Sequence, residues 1–410
     1  MRACDDAVMG IVLRVATSDD HDQLWTLFAT AMMFDSTSSD LDRELFEPER
    51  ALVATDGDLV VGTAKALSRD LSVPGAVVPA AHVTAVGVQA THRRRGILSS
   101  LMSRQLREAP EALAVLWASE AAIYGRFGYA AAAWNVSYEV NPHRVLPTPG
   151  PRGADRVEEL TAEDAAVQLP ALLRALQESR PGVSGRSELL WRKRLQDKPE
   201  DRGGATPRKI LVHRDATGAV DGYALWRGKM SWVAEGPANE VVLEELVAVD
   251  PIAYHALWHH VLTLDLVGKI QYNHAAPDEP VQQLVANPSA LVRRVGESLW
   301  VRLTDVSRAL AQRRYATAVD VVLEVTDDLI EHNNGRFHLT GDLQNATCGR
   351  TEAAADLSLS VRELSATYLG GRSLGEYAAT GKVTEHTPGA LAATAAALGW
   401  PTAPKSIEIF

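Results

Sequence analysis

The sequence predicts an α/β (α+β) protein built from two tandem copies of one strand-and-helix unit, the second degenerate, followed by a small α+β domain. Three observations lead there. The order hairpin, strand, helix, strand runs through residues 51–118 and returns at 209–273. A basic loop ending in glycine joins strand to helix in the first copy only. After Trp300 the texture changes to a valine-rich strand and an alanine-rich helix. A chain of 410 residues exceeds one ordinary core, and the expected domains are 1–145, 146–299 and 300–410.

The elements follow from local chemistry. Ile11–Ala16 reads as a strand; Ser18-Asp19-Asp20 is an N-cap signature before an apolar-periodic helix reaching Met33. Ala51–Thr55 and Leu59–Leu67 form a hairpin turning on Asp56-Gly57-Asp58. Val83–Val88 is a strand, and Leu98, Leu101, Met102 and Leu106 share one face of the next helix. Leu113–Ala118 and Tyr129–Val140 are further strands, and Pro142–Arg156 is a linker. In the second copy, Lys209–His213 and Ala219–Arg227 form the hairpin, Asn239–Val249 the strand, Ile252–Asp265 the helix and Lys269–Asn273 the closing strand. In the third domain, Val319–Val325 and Arg336–Thr340 are strands, while Asp356–Leu369 and Gly389–Leu398 are helices.

Composition removes several function classes. A chain with 46% hydrophobic and 23% charged residues is that of a soluble globular protein. No apolar run approaches the ~20 residues that span a bilayer. Net charge of −11 argues against nucleic acid and anionic membrane as partners. It is compatible equally with attraction of cationic substrates and with solubility alone. Cys4 and Cys348 lack disulfide or metal spacing. With an acidic start at Met1–Asp6, the expected compartment is the cytoplasm. His255 and His259 have i, i+4 spacing, but Ala256 stands where a zinc-protease helix carries glutamate, so no metal is expected.

The most informative stretch runs from His82 to Met102. A strand delivers the chain to Gln89-Ala90-Thr91-His92-Arg93-Arg94-Arg95-Gly96, and a helix follows. Such a turn converges N–H groups, the positive helix end and arginine side chains on a pyrophosphate. Where the first copy has this loop, the second has Val249-Asp250-Pro251, so one competent site is expected. The Arg93-x-x-Gly96 segment resembles the acetyl-CoA-binding motif of the GNAT superfamily, with Leu98 departing from the usual small residue. Together with Ser119-Glu120-Ala121-Ala122-Ile123-Tyr124-Gly125-Arg126-Phe127-Gly128-Tyr129, it closely resembles the Eis-type (enhanced intracellular survival) N-acetyltransferases. The likeness extends over the whole chain, including a sterol-carrier-like third domain marked by Thr367-Tyr368-Leu369-Gly370-Gly371 and a final aromatic residue.

The resemblance implies a site. Val86, Gly87 and Val88 would meet the thioester and pantetheine through backbone groups; Arg93, Arg94, Gly96 and Ile97 would meet the phosphates. A backbone N–H near the carbonyl would stabilise developing oxyanion charge. The Val83–Val88 strand carries no Asp or Glu, so the base that many relatives keep there is absent. The resemblance implies Tyr124 as the acid toward coenzyme A and the Phe410 carboxylate as the base. A neutral tyrosine, with a pKa of about 10, suits donation to a thiolate; an α-carboxylate, at about 3.5, is a weak base unless desolvated or linked through water. Ser119, grouped with the cofactor-binding residues, corresponds to a serine that positions substrate or water near the base. Phe34, Asp35, Trp117 and Glu408, with Asp40 and Asp42, are candidates for the acceptor pocket. A small cationic amine such as an aminoglycoside is the expected acceptor, with protein lysine or polyamine as the alternative. A non-catalytic lipid or acyl-CoA binder is the reading from another class. A homohexamer is implied by resemblance alone.

Overall fold

The computed structural model describes residues 7–8, 10–34, 37–153, 156–234 and 236–410. The chain forms two compact units. One comprises the described residues up to Ala132, Leu299–Pro401 and Phe410; the other comprises Ala133–Ser298 and Thr402–Ile409.

The first unit holds an eight-stranded sheet. Its strands are β1 (Ala7–Val8), β2 (Ile11–Val15), β3 (Ala51–Asp56), β4 (Leu59–Val73), β5 (Ala76–Val88), β6 (Leu113–Trp117), β7 (Ala130–Ala131) and, arriving from far along the chain, β17 (Leu299–Leu303). The order is β1-β2-β3-β4-β5-β6-β17-β7. The β4–β5 arms are longer than expected, because Pro74-Gly75 makes a second turn and Leu71, Val73 and Val78 are buried.

Helices cover both faces, so β3 is buried on both. On one face lies α1 (His21–Met32), on the other α3 (Ile97–Glu108). The expected N-cap signature, Ser18–Asp20, forms a 3₁₀ turn of its own. There the Asp20 carboxylate accepts from the Thr17 N–H at 2.7 Å and pairs with Arg14 at 2.7 Å. The α3 face buries Ile97, Leu101, Met102 and Leu106; Leu98 is half-buried. Gly62 on β4 lets α3 approach, since a Cβ there would stand 2.6 Å from Ile97. Short helices α2 (Asp40–Glu44) and α4 (Ala121–Tyr124) flank this sheet in sequence.

The same unit contains a five-stranded sheet of β18 (Val319–Thr326), β19 (Gly335–Gly341), β20 (Ala346–Arg350), β21 (Leu357–Ser360) and β22 (Val383–Glu385), ordered β20-β19-β18-β21-β22. Helices α9 (Val306–Gln312), α10 (Val361–Thr367), α11 (Leu374–Ala378) and α12 (Ala390–Leu398) complete it. The helix expected over Asp356–Leu369 is shorter. Its first residues, Leu-Ser-Leu-Ser, alternate buried and half-buried as β21, parallel to β18, and Ser360 then caps α10.

The second unit repeats the first plan. Its seven strands are β8 (Trp134–Val140), β9 (Val157–Glu159), β10 (Lys209–Arg214), β11 (Val220–Lys229), β14 (Asn239–Ala248), β15 (Val267–Ala275) and β16 (Leu291–Glu297), in the order β16-β8-β15-β14-β11-β10-β9. A small hairpin, β12 (Trp232–Val233) and β13 (Gly236–Pro237), stands apart from that sheet. Helices α5 (Pro142–Val145), α6 (Ala162–Ser179), α7 (Glu188–Leu195) and α8 (Pro251–Leu262) accompany it. Helices α6 and α7 were not anticipated, and α5 falls inside the expected linker. Gly222 on β11 plays the part of Gly62, since a Cβ would meet Ala253 at 2.9 Å and Leu257 at 3.0 Å on α8.

The expected single strand Tyr129–Val140 is divided. Its head, β7, joins the first sheet beside β17; its tail, β8, joins the second between β15 and β16. The run 291–303 is divided in the reverse sense, β16 to the second sheet and β17 to the first. Each sheet is thus completed by a strand from the other copy's run. The boundaries therefore fall at Ala132/Ala133 and Ser298/Leu299, and the third domain shares a compact unit with the first copy. Among the described residues no helix is long and apolar enough to cross a membrane.

Candidate functional site

The site grows from the end of β5. Parallel pairing between β5 and β6 is confined to Ala81↔Ala114 and His82↔Val115. On the other side, β4 pairs Lys65 with Thr84 but Thr63 with Gly87, so β5 bulges between them, and Ala85 takes φ +50°. The bulge re-aims Val86–Val88 just where β5 has parted from β6. Gly87 sits against α1; a Cβ there would lie 3.0 Å from Leu27 and 3.3 Å from Ala31.

The loop that follows has the form of an anion cradle. Ala90–His92 make a 3₁₀ turn, Arg94 has φ +63° and Gly96 φ +82°, and α3 begins at Ile97. A side chain on Gly96 would meet open space within the protein, so its backbone angle is what demands glycine. Gly96 is the N-cap of α3, and no side chain caps that helix. Its first-turn N–H groups and positive dipole end therefore face outward beside the exposed Arg93 and Arg94. Arg95 turns back to the Thr91 carbonyl at 3.3 Å. Arg93, Thr91, Gln89 and Val88 join Thr26 and Leu27 of α1 around a cavity of about 510 Å³. An uncapped helix end, arginines and a strand with free edge groups fit a pyrophosphate and an extended amide chain, the two halves of coenzyme A.

Trp117 ends β6, half-buried. Ser119 and Glu120 lead into α4, which carries Tyr124. Tyr124 is 6% exposed, and its ring meets Tyr129 edge-on at 6.1 Å. Burial pushes its hydroxyl above the ordinary tyrosine value, partly offset by a hydrogen bond with Ser119. Tyr124 is therefore a protonated donor across the neutral range.

Phe410 lies against β5. The Thr84 hydroxyl donates to a Phe410 main-chain oxygen at 3.0 Å, and the Phe410 ring packs on His82 at 4.6 Å between centroids. The Arg69 guanidinium stands 5.7 Å from the same ring. In the second unit, Glu408 is held by Arg186 at 2.6 Å, and Arg186 also grips Glu245 at 2.8 and 2.9 Å.

A second cavity, about 390 Å³, lies along α1 and is lined by Asp22, Trp25, Thr26, Phe34, Ser38 and Arg43 among others. Trp25, Phe28 and Phe34 form an edge-to-face cluster with centroids 5.5–6.4 Å apart. Of the expected acceptor residues, Phe34 lines this cavity, whereas Asp35 lies outside the described residues. The Asp42 carboxylate caps α2 by accepting from the Ser39 N–H and hydroxyl at 2.8 and 2.6 Å. Asp22 and Trp25, which line this cavity, and His82 and Thr84, which touch Phe410, were not singled out from the sequence. The aromatic spacing of Trp25 and Phe28 on a helix was a signal for Trp25, but nothing local marks Thr84.

Residues 12–132 match an acetyltransferase (GNAT) domain family, residues 182–303 another acetyltransferase (GNAT) domain family, and residues 306–405 a sterol carrier protein domain. GNAT acetyltransferases use acetyl-CoA. An uncharacterized N-acetyltransferase of Streptomyces avermitilis is 41% identical over 374 residues, covering 90% of this chain and 91% of that protein. N-acetyltransferase Eis of Mycobacterium tuberculosis is 31% identical over 396 residues, covering 92% and 93%. The crystal structure of Eis1 from Mycobacterium abscessus superposes with a TM-score of 0.84 at 32% identity, over 97% of this chain and all of that one. With the splayed strand, the open helix end and the match along the whole chain, this protein belongs to the Eis-type N-acetyltransferases of the GNAT superfamily.

Proposed function

We propose that the enzyme acetylates an amine of a small cationic substrate, such as an aminoglycoside, by direct attack in a ternary complex. The observation that carries this reading is the Phe410 oxygen on Thr84, beside the only bulged stretch of β5 and on a strand whose 83–88 segment has no carboxylate of its own. Acetyl-CoA supplies the acetyl group as an activated thioester.

The backbone of Val86–Val88 orients the thioester arm, and Arg93, Arg94, Gly96 and Ile97 hold the phosphates. The Phe410 carboxylate takes a proton from the acceptor ammonium, leaving the nitrogen lone pair for the carbonyl carbon. As the N–C bond forms, the C–S bond breaks and the thiolate takes the Tyr124 proton; the nitrogen then gives up its second proton, through solvent, to the Tyr124 oxygen, and the Phe410 carboxyl returns its proton to solvent. Ser119 orients the Tyr124 hydroxyl. Trp25 and Phe34 offer aromatic faces to a cation, while the Asp22 carboxylate beside them is paired with Arg43 at 2.6 Å; Trp117 and Glu408 are the further acceptor residues that the family resemblance implies.

The test is Tyr124→Phe and removal of Phe410, each followed by thiol release with an aminoglycoside, spermidine and a lysine peptide. Loss of about a hundredfold or more in kcat is expected for each; wild-type rates in both would sink the reading. The rank of kcat/KM across the three acceptors decides the acceptor class. The same proposal includes a cytoplasmic homohexamer, which light scattering of the purified protein checks by mass.

A further inference from the structure

The residue that meets Phe410 is not one that the acid and base roles require. Thr84 is the last residue of β5 paired with β4 before the bulge at Ala85, its partner being Lys65. Ladder pairing fixes its backbone, and its β-branched side chain is confined at χ1. The hydroxyl is thereby aimed, and it donates to the Phe410 oxygen at 3.0 Å. His82, two residues back and so on the same face of the strand, meets the Phe410 ring edge-on at 4.6 Å between centroids. His82 is itself held, its Nδ1 lying 3.1 Å from the Ala80 carbonyl oxygen, and it is fully buried. The guanidinium of Arg69, which pairs with Ala80 across the ladder, stands 5.7 Å from the centre of the same ring.

We propose that Thr84 is a positioning residue: its hydroxyl engages one oxygen of the Phe410 carboxylate and turns the other toward the acceptor amine, while His82 and Arg69 seat the ring. This rests on the reading of Phe410 as the base. A carboxylate on a chain end has free rotation about its last bonds, and a single hydrogen bond removes most of it. A base displaced by about 1 Å can lose two orders of magnitude in rate. The role is one of geometry. It should therefore appear in kcat and leave acetyl-CoA binding untouched, because Thr84 lies before the segment that contacts the cofactor.

The experiment compares Thr84→Val, Thr84→Ser and Thr84→Ala with the Phe410 deletion in the full-length enzyme, using thiol release with the best acceptor of the panel. Thr84→Val is expected to lower kcat by about tenfold to a hundredfold with acetyl-CoA KM within about twofold of wild type, and Thr84→Ser to restore most of the rate. If Thr84→Val fails to fold, Ser against Ala carries the same comparison. Wild-type kcat in Thr84→Val or Thr84→Ala, with the Phe410 deletion inactive, overturns the role of Thr84 and leaves the base reading standing. A Phe410 deletion that keeps wild-type kcat removes the base reading itself, and the positioning role with it.

Discussion

The two acetyltransferase copies share a scaffold and differ at one end of one helix. Both set a glycine, Gly62 or Gly222, beneath the helix that follows the parallel strand, and both pair that strand with the next. In the first copy, α3 starts at Gly96 with no capping side chain. In the second, Asp250 occupies the N-cap of α8 and accepts from the Ile252 N–H at 2.7 Å. A carboxylate now stands where a phosphate would have to bind. The strands differ too. β5 and β6 share two pairs before parting, whereas β14 and β15 share five, from Asn239↔Val267 to Leu243↔Tyr272. Beyond those pairs Glu244 and Glu245 meet Arg186, Arg194, Arg208 and Arg227. Where the first copy leaves a strand edge and a helix end open, the second fills the equivalent places with charged side chains partnered within the chain.

The comparison can be broken at those partners. Glu245→Ala leaves the buried Arg186 without its bidentate partner and is expected to lower stability by about 3–5 kcal/mol, read by urea unfolding. A loss below about 1 kcal/mol would show that the network is incidental. The neighbouring arginines hold the Glu245 carboxyl down at about 2 against an ordinary 4.5. Its stabilising contribution is thus complete above about pH 4.5 and drains away as pH falls toward 2, so acid unfolding should begin in that window.

Gly96→Asp transplants the second copy's cap into the first. It adds like charge and an unfavourable backbone angle, and should weaken acetyl-CoA binding by about tenfold to a hundredfold by calorimetry. Unchanged affinity would show that the open helix end is not the phosphate site. The reciprocal Asp250→Ala should cost about 1 kcal/mol of stability and leave acetyl-CoA stoichiometry at one per chain. The smallest effect sharpens the chemistry. Tyr124 sits above its ordinary value, so kcat should show no loss attributable to tyrosine ionisation up to about pH 10. An alkaline limb below that, absent in Tyr124→Phe, would contradict its environment.

Much of the first copy was legible because its signals are short-range. Asp-Gly-Asp makes a turn whatever lies beyond it, and the loop to Gly96 carries its own punctuation. The division of Tyr129–Val140 was not legible. Its alternation continues from strand to strand, and only distant partners decide which sheet receives which half. Likewise Leu357–Ser360 satisfies both a helix start and a short strand, and the strand wins because β18 offers an edge. Thr84 was invisible because its significance comes from residue 410. The turn and helix start of the basic loop were legible, by contrast, because residues inside the loop set them.

The divided strands also set a timetable for synthesis. β6 is finished at Trp117, but β17, its neighbour in the finished sheet, does not exist until Leu299 has been added. At about 5–20 residues per second, a growing chain waits roughly 10 to 40 s with that edge unpaired and Leu113–Trp117 without its cover. The second copy is therefore more than a spacer between the two parts of this sheet. A chain truncated after the first copy would lack β17 and leave β6 and β7 without the strand that joins them.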